Sequence, residues 1–335
     1  MLNKIINSAG DFLVKNNWFT VRLIKYKNSS VRIVYYHMVS NFERPHYFDH
    51  KAISKKLFQE QIDFFKQHYK IVCISEAIYL IDNNENIKNL LVISFDDGFK
   101  ENFTNIYPIL KRNKISGTFF IISNCIDNKD LMWRNKLLLI NREKRSLILK
   151  STKKLVEEYK LSEFKDNDNL FSWSLNNWQM DLKEYYVNFL WEKVMPFSIE
   201  EYLNINKPYM NSDEIKQLSL EGHNIGSHSK THPVFSKLSY QNFRDEISLS
   251  CEFINKITNK NVTTFSYPFG RASSRDFENN YNLETDSNLL FFGTKNNLKN
   301  TSLNIRWERD NTEHSFNIML LRFALLPVFR NIKIN

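Results

Sequence analysis

Glycine and proline are scarce: seven of each in 335 residues leave no room for long flexible linkers or low-complexity tracts. Cysteine is scarcer still. Cys73, Cys125 and Cys251 are unclustered, lack the spacing of a thiolate metal site and form no disulfide framework, which points to a reducing compartment. No apolar run is long enough to cross a bilayer. The N-terminus also lacks an uninterrupted apolar stretch followed by a small-residue cleavage site. The expected location is therefore cytoplasmic, with peripheral contact to the inner membrane face. Acidic excess is missing too, with 46 Lys and Arg against 37 Asp and Glu, a net charge of +9. No recognised nucleic-acid motif accompanies that charge, so nucleic acid is not the expected partner. Much of it sits in residues 1–36, where Lys4, Lys15, Arg22, Lys25, Lys27 and Arg32 face only Asp11. Leu2, Ile5, Ile6, Ala9, Phe12 and Leu13 recur there at helical spacing, predicting a basic amphipathic helix over 1–30. Such a helix lies on an anionic membrane surface or packs beneath the main domain.

What is present is the composition of a globular protein, 42% hydrophobic and 25% charged, long enough to bury a sizeable core. Apolar runs alternate with amphipathic stretches: strand 31–37, helix 55–68, strand 70–74, a short helix, strand 90–95, helix 101–113 and strand 117–122. That is the α/β pattern. It stops over 131–210, which holds Trp133, Trp173, Trp178 and Trp191 and reads as a mainly helical insertion with helices near 147–160 and 182–194. Two roles fit the insertion: a cap over the active face whose aromatic residues meet the substrate, or a body whose Trp residues build its own core. Trp133, next to the α/β text, is expected at the rim of the site. The α/β text resumes over 211–312. The last stretch, 313–335, is an apolar tail broken by Arg322 and Pro327, suited to docking on the protein or joining the N-terminal helix at a lipid interface.

The chemistry concentrates in Ser94-Phe95-Asp96-Asp97-Gly98, two carboxylates at the end of the apolar run Leu90–Ile93. Adjacent carboxylates repel unless a cation compensates. His228-Ser229-Lys230-Thr231-His232 supplies a means of recruiting one. Two His at i and i+4 are expected on one face of a single helical turn, ended by Pro233. One carboxylate and two imidazoles make a three-ligand set with positions left for water and substrate, and the other carboxylate can then serve as a base.

These motifs, with Ser266-Tyr267-Pro268-Phe269-Gly270, resemble the first three motifs of the polysaccharide deacetylase family (NodB homology, carbohydrate esterase family 4). Tyr107-Pro108-Ile109-Leu110, Gly117-Thr118-Phe119-Phe120 and Glu221–Ser227 fit the family as well, and the resemblance covers roughly residues 31–130 and 210–310. It implies a distorted (β/α) barrel and removal of acetyl groups from an amino-sugar glycan. It implies that Asp97, His228 and His232 hold a divalent metal, usually zinc, that Asp96 is the base, and that the Phe269 N–H meets the oxyanion. Tyr267 and Trp133 are the further expected substrate contacts. Val31–His37, a strand ending in Tyr36-His37, resembles the start of the circularly permuted subgroup, which makes His37 the expected general acid ahead of His314. Many members carry Arg where this chain has Ser266, so Asp96 must borrow a cation such as Arg306 or Arg309. The resemblance implies N-deacetylation of a polysaccharide or lipid-linked sugar. Deformylation or O-deacetylation of a lipid-linked sugar is the second reading, and a glycan-binding pseudoenzyme, favoured only by the missing Arg, is the third.

Overall fold

The computed structural model describes residues 30–47, 52–294, 300–303, 306–313 and 315–320. The expected N-terminal helix, most of the apolar tail and His314 lie outside the described residues.

Among the described residues, nine parallel strands form the sheet: β1 (Arg32–Tyr36), β2 (Lys70–Ile71), β3 (Leu90–Phe95), β4 (Thr118–Ile121), β5 (Asn224–Ser227), β6 (Thr264–Ser266), β7 (Leu290–Gly293), β8 (Trp307–Glu308) and β9 (Asp310–Asn311). Their order is β8-β7-β6-β5-β4-β3-β1-β9, with β2 pairing β3 off that path. The two edge strands are separated in sequence only by Arg309. Trp307 pairs with Phe292 of β7, while Asp310 pairs with Val34 of β1, so one short stretch of chain borders both ends of the sheet and curls it into a nearly closed barrel.

Local sequence explains the parts. All six residues of β3 are buried, as a parallel strand covered on both faces requires. Helix Lys55–His68 starts at Ser54, whose hydroxyl accepts the Leu57 N–H, and buries Phe58, Ile62 and Phe65. Helix Ser212–Leu220 starts with a capping box between Asn211 and Glu214. Gly226 in β5 is needed for close packing, since a Cβ there would lie 2.5 Å from Thr264 Oγ1 and 2.6 Å from the Phe120 ring.

Residues 131–210 form five helices: Trp133–Ile140, Arg145–Tyr159, Leu170–Asn177, Lys183–Val194 and Ile199–Asn206. Trp133, Trp173, Trp178 and Trp191 are all buried in one cluster that runs on into Met38, Tyr47 and Phe99 of the barrel's loops. The insertion thus shares its core with the face that carries the ends of β1 and β3. Among the described residues, no helix is long and apolar enough to cross a membrane.

Candidate metal and catalytic centre

The motif residues meet where the parallel strands end, the usual place for chemistry in such barrels. β3 stops at Phe95, and the Asp96 N–H extends the ladder to the Tyr36 carbonyl at 2.8 Å. The chain then turns through Asp97 and Gly98, both at φ 71°. A buried, non-glycine residue in the left-handed region is a strained position of the kind found at functional sites. The turn separates the two carboxylates: Asp96 faces Arg309 and Asp97 faces His228 and His232.

His228 follows β5. Its Nδ1 lies 2.7 Å from the Ser266 carbonyl, which leaves Nε2 toward Asp97 Oδ1 at 3.4 Å. His232 Nε2 stands 3.4 Å from the same oxygen. The expected helical turn is absent: Ser229 and His232 have φ of 72° and 58°, and the two rings converge through a bent loop. Hydroxyl and carbonyl contacts hold that loop where a helical ladder would have held a turn. The His232 N–H donates to Ser229 Oγ at 2.9 Å, and its carbonyl accepts from Trp133 Nε1 at 2.7 Å.

The ligand atoms of Asp97, His228 and His232 all lie within 4.8 Å of one another. Asp97 Oδ1 is buried without a hydrogen-bond partner, a costly state that a cation relieves. Burial works against the Asp97 charge, but the imidazoles facing it hold its pKa well below the usual carboxylate range. Burial also lowers His232 to about 4, keeping it neutral as a metal ligand must be. One carboxylate and two imidazoles with further positions open fit zinc.

The cation for Asp96 is Arg309. Its Nη1 and Nη2 donate to Oδ1 and Oδ2 at 2.7 and 2.8 Å. Tyr35 and Phe120 flank the guanidinium with ring centroids at 4.8 and 5.0 Å, and it also contacts the Ser266 hydroxyl. The place of the arginine missing at Ser266 is therefore taken by the residue that joins β8 to β9. Arg306 pairs instead with Glu278. Burial opposes the Asp96 charge, yet Arg309 keeps its pKa below the ordinary value.

On the other side, His37 Nδ1 lies 2.7 Å from Glu313 Oε2. Glu313 Oε1 accepts the His37 and Met38 backbone N–H groups at 2.6 and 3.2 Å. Burial disfavours the imidazolium, but Glu313, reinforced by Asp97 and Asp96, raises its pKa to about 9. Sequence reasoning missed Glu313. Its partner is 276 residues away, and no local pattern marks the pairing.

Two expected substrate contacts are sealed off. Trp133, expected at the rim, is fully buried under Phe171, Trp178 and Phe269 and braces the His232 loop. Tyr267 is buried and its hydroxyl donates to Glu278 at 2.8 Å. The insertion braces the loop further, with Lys183 Nζ donating to Thr231 Oγ1 at 2.6 Å. Phe269 sits at φ 56° in the turn Pro268–Gly270 with its ring centroid 4.5 Å from that of His232. Its N–H takes no part in the turn's two hydrogen bonds, Gly270 to Tyr267 and Arg271 to Pro268.

A family model described as polysaccharide deacetylase matches residues 83–160 and 182–284. The poly-beta-1,6-N-acetyl-D-glucosamine N-deacetylase of Staphylococcus aureus is 29% identical over 118 residues, covering 32% of this chain and 41% of the relative. The chain thus spans about two fifths of the length of the curated relatives it matches. Among solved structures, the Streptococcus pyogenes deacetylase PplD in complex with acetate superposes with a TM-score of 0.54 at 15% identity, covering 88% of this chain and 97% of that one. IcaB from Ammonifex degensii gives a TM-score of 0.56 at 16% identity over the same shares. These two likenesses are of fold.

Proposed function

We infer that this chain, which belongs to the polysaccharide deacetylase family, is a metal-dependent hydrolase that removes N-acetyl groups from an amino-sugar polysaccharide. The observation that supports the reading is the convergence of Asp97, His228 and His232, with the neighbouring Asp96 paired to Arg309 and His37 paired to Glu313. Asp97, His228 and His232 would hold the divalent ion, zinc on the donor set, which when bound supplies a polarised acetyl carbonyl and a water of lowered pKa. Asp96 takes the proton of the attacking water. Arg309 keeps that carboxylate charged and aligned through two parallel hydrogen bonds. The Phe269 N–H offers a donor to the carbonyl oxygen as charge develops on it. His37, protonated through Glu313, gives its proton to the departing sugar amine, which would otherwise leave as an unstable anion. The carboxylate–cation pair at Asp96 also supports the catalytic reading over a non-catalytic glycan binder, whose best argument is the missing arginine.

The test uses the zinc-loaded chain with poly-N-acetylglucosamine, reading acetate and new amines. Acetate release with one metal per chain is expected. No release, or equal release by Asp96→Asn, overturns the reading. Formyl-bearing lipid-linked sugars run in parallel distinguish deformylation.

A further inference from the structure

Charge alone does not fix who pairs with whom among Asp96, Arg309, His37 and Glu313. A guanidinium binds any carboxylate it reaches through two parallel hydrogen bonds. Were Arg309 to take Glu313, Asp96 would lose its cation and His37 the carboxylate that holds its proton. One side chain stands where such an exchange would pass. Tyr35 of β1 pairs in register with Asn311, and Arg309 and Glu313 lie two positions on either side of Asn311. On its other flank Tyr35 is opposite Ser94, two positions before Asp96. Tyr35 shares a face of β1 with His37, because side chains alternate along a strand. Their rings meet edge to face, centroids 5.5 Å apart and planes 77° apart. The Arg309 guanidinium lies over the Tyr35 ring at 4.8 Å. The Tyr35 hydroxyl bonds to the Asn311 side chain, whose Oδ1 accepts the Glu313 N–H at 2.9 Å. Tyr35 thus touches Arg309 of one pair and His37 of the other.

We propose that Tyr35 is a positioning residue whose ring, a neutral spacer, keeps Arg309 on Asp96 and Glu313 on His37. The proposal rests on the deacetylase reading above, in which those two pairs serve the base and the acid. An aromatic ring suits the place. Its face attracts the guanidinium without offering it a carboxylate. Burial raises the phenol pKa above its ordinary value, so the side chain stays neutral and joins neither pair. Ring and hydroxyl divide the work: the ring separates the pairs, and the hydroxyl anchors it to Asn311.

Tyr35→Ala and Tyr35→Phe, each confirmed as folded by its melting temperature, test this in the zinc-loaded protein with poly-N-acetylglucosamine. Tyr35→Val, β-branched and suited to a strand, takes the place of Tyr35→Ala if that variant does not fold. Removing the ring should lower kcat about 100-fold with KM and zinc content unchanged. Of the groups that face His37 (Glu313, Asp96, Asp97 and the rings of Tyr35 and Tyr47), Glu313 is the one an exchange removes. The His37 midpoint, followed by NMR of its ring nitrogens, should therefore fall from about 9 toward about 6.5, the ordinary histidine value. Tyr35→Phe should keep kcat within about twofold and leave the midpoint in place. An unmoved midpoint in Tyr35→Ala overturns the spacer, as does a Phe variant as impaired as the Ala one. A raised KM with unchanged kcat also overturns it and makes Tyr35 a substrate contact. The NMR titration needs no turnover: wild-type protein that releases no acetate refutes the catalytic reading, while a fallen midpoint in Tyr35→Ala still upholds the spacer.

Discussion

Two carboxylate–cation pairs flank the site and solve opposite problems. In Asp96–Arg309 the cation cannot lose its proton, so the pair secures an ionised carboxylate in a buried position. In His37–Glu313 the cation is titratable, and the carboxylate keeps the proton on it up to about pH 9. In the proposed reaction the same contact would yield a base on one side and an acid on the other. The difference lies in which partner titrates in the working range, and the pair of pKa values is pushed apart as acid–base catalysis requires.

The comparison can be broken at several points. Asp97→Asn removes the ligand between the pairs, and stoichiometric metal should be lost on dialysis, read by elemental analysis; retained metal would refute the ligand assignment. Asp96→Asn should keep the metal and lower kcat by about 10²–10⁴, the usual worth of a positioned base.

Arg309→Met leaves a buried carboxylate without its cation and should cost about 3–5 kcal/mol of unfolding free energy near neutral pH, measured by denaturant titration. The sign follows from the depressed Asp96 pKa. Its contribution is present above the unfolded value and lost as pH falls through the folded one, so the gap between wild type and variant should narrow on acidification. A gap independent of pH would count against the pairing.

Trp133→Phe keeps an aromatic ring but deletes the indole donor to the His232 carbonyl together with part of the buried ring volume. Metal affinity should fall about tenfold in a chelator competition, as for other groups that orient ligands. Glu313→Gln should move the alkaline limb of the kcat profile down from near pH 9. The same pair contributes stability that is full below about pH 6.5 and disappears as pH rises through about 9, and that dependence should flatten in the variant. A limb that stays in place means His37 is not the group titrating.

Much of the barrel was legible. The strands at 31–37 and 90–95 and the helix at 55–68 fall within a residue or two of their predicted limits, because each carries its own apolar period and turn signals. The closing strands were not legible. β8 and β9 are two residues each, too short for periodicity, and they are strands only because the edges of β7 and β1 stand on either side. The bent His228–His232 loop was misread as a helical turn for a related reason, since Trp133 and Lys183 from the distant insertion hold it alongside its own Ser229 contact.

By itself, the sequence determined which residue types could do chemistry, the α/β class and the existence of an inserted helical body, since those depend on composition and local spacing. Only the tertiary structure decided who partners whom. Arg309 reaches Asp96 across 213 positions, Glu313 reaches His37 across 276, and Trp133 turns from the rim into a brace. Barrel closure makes the first two contacts and the packing of the insertion makes the third, and neither is encoded by any single segment.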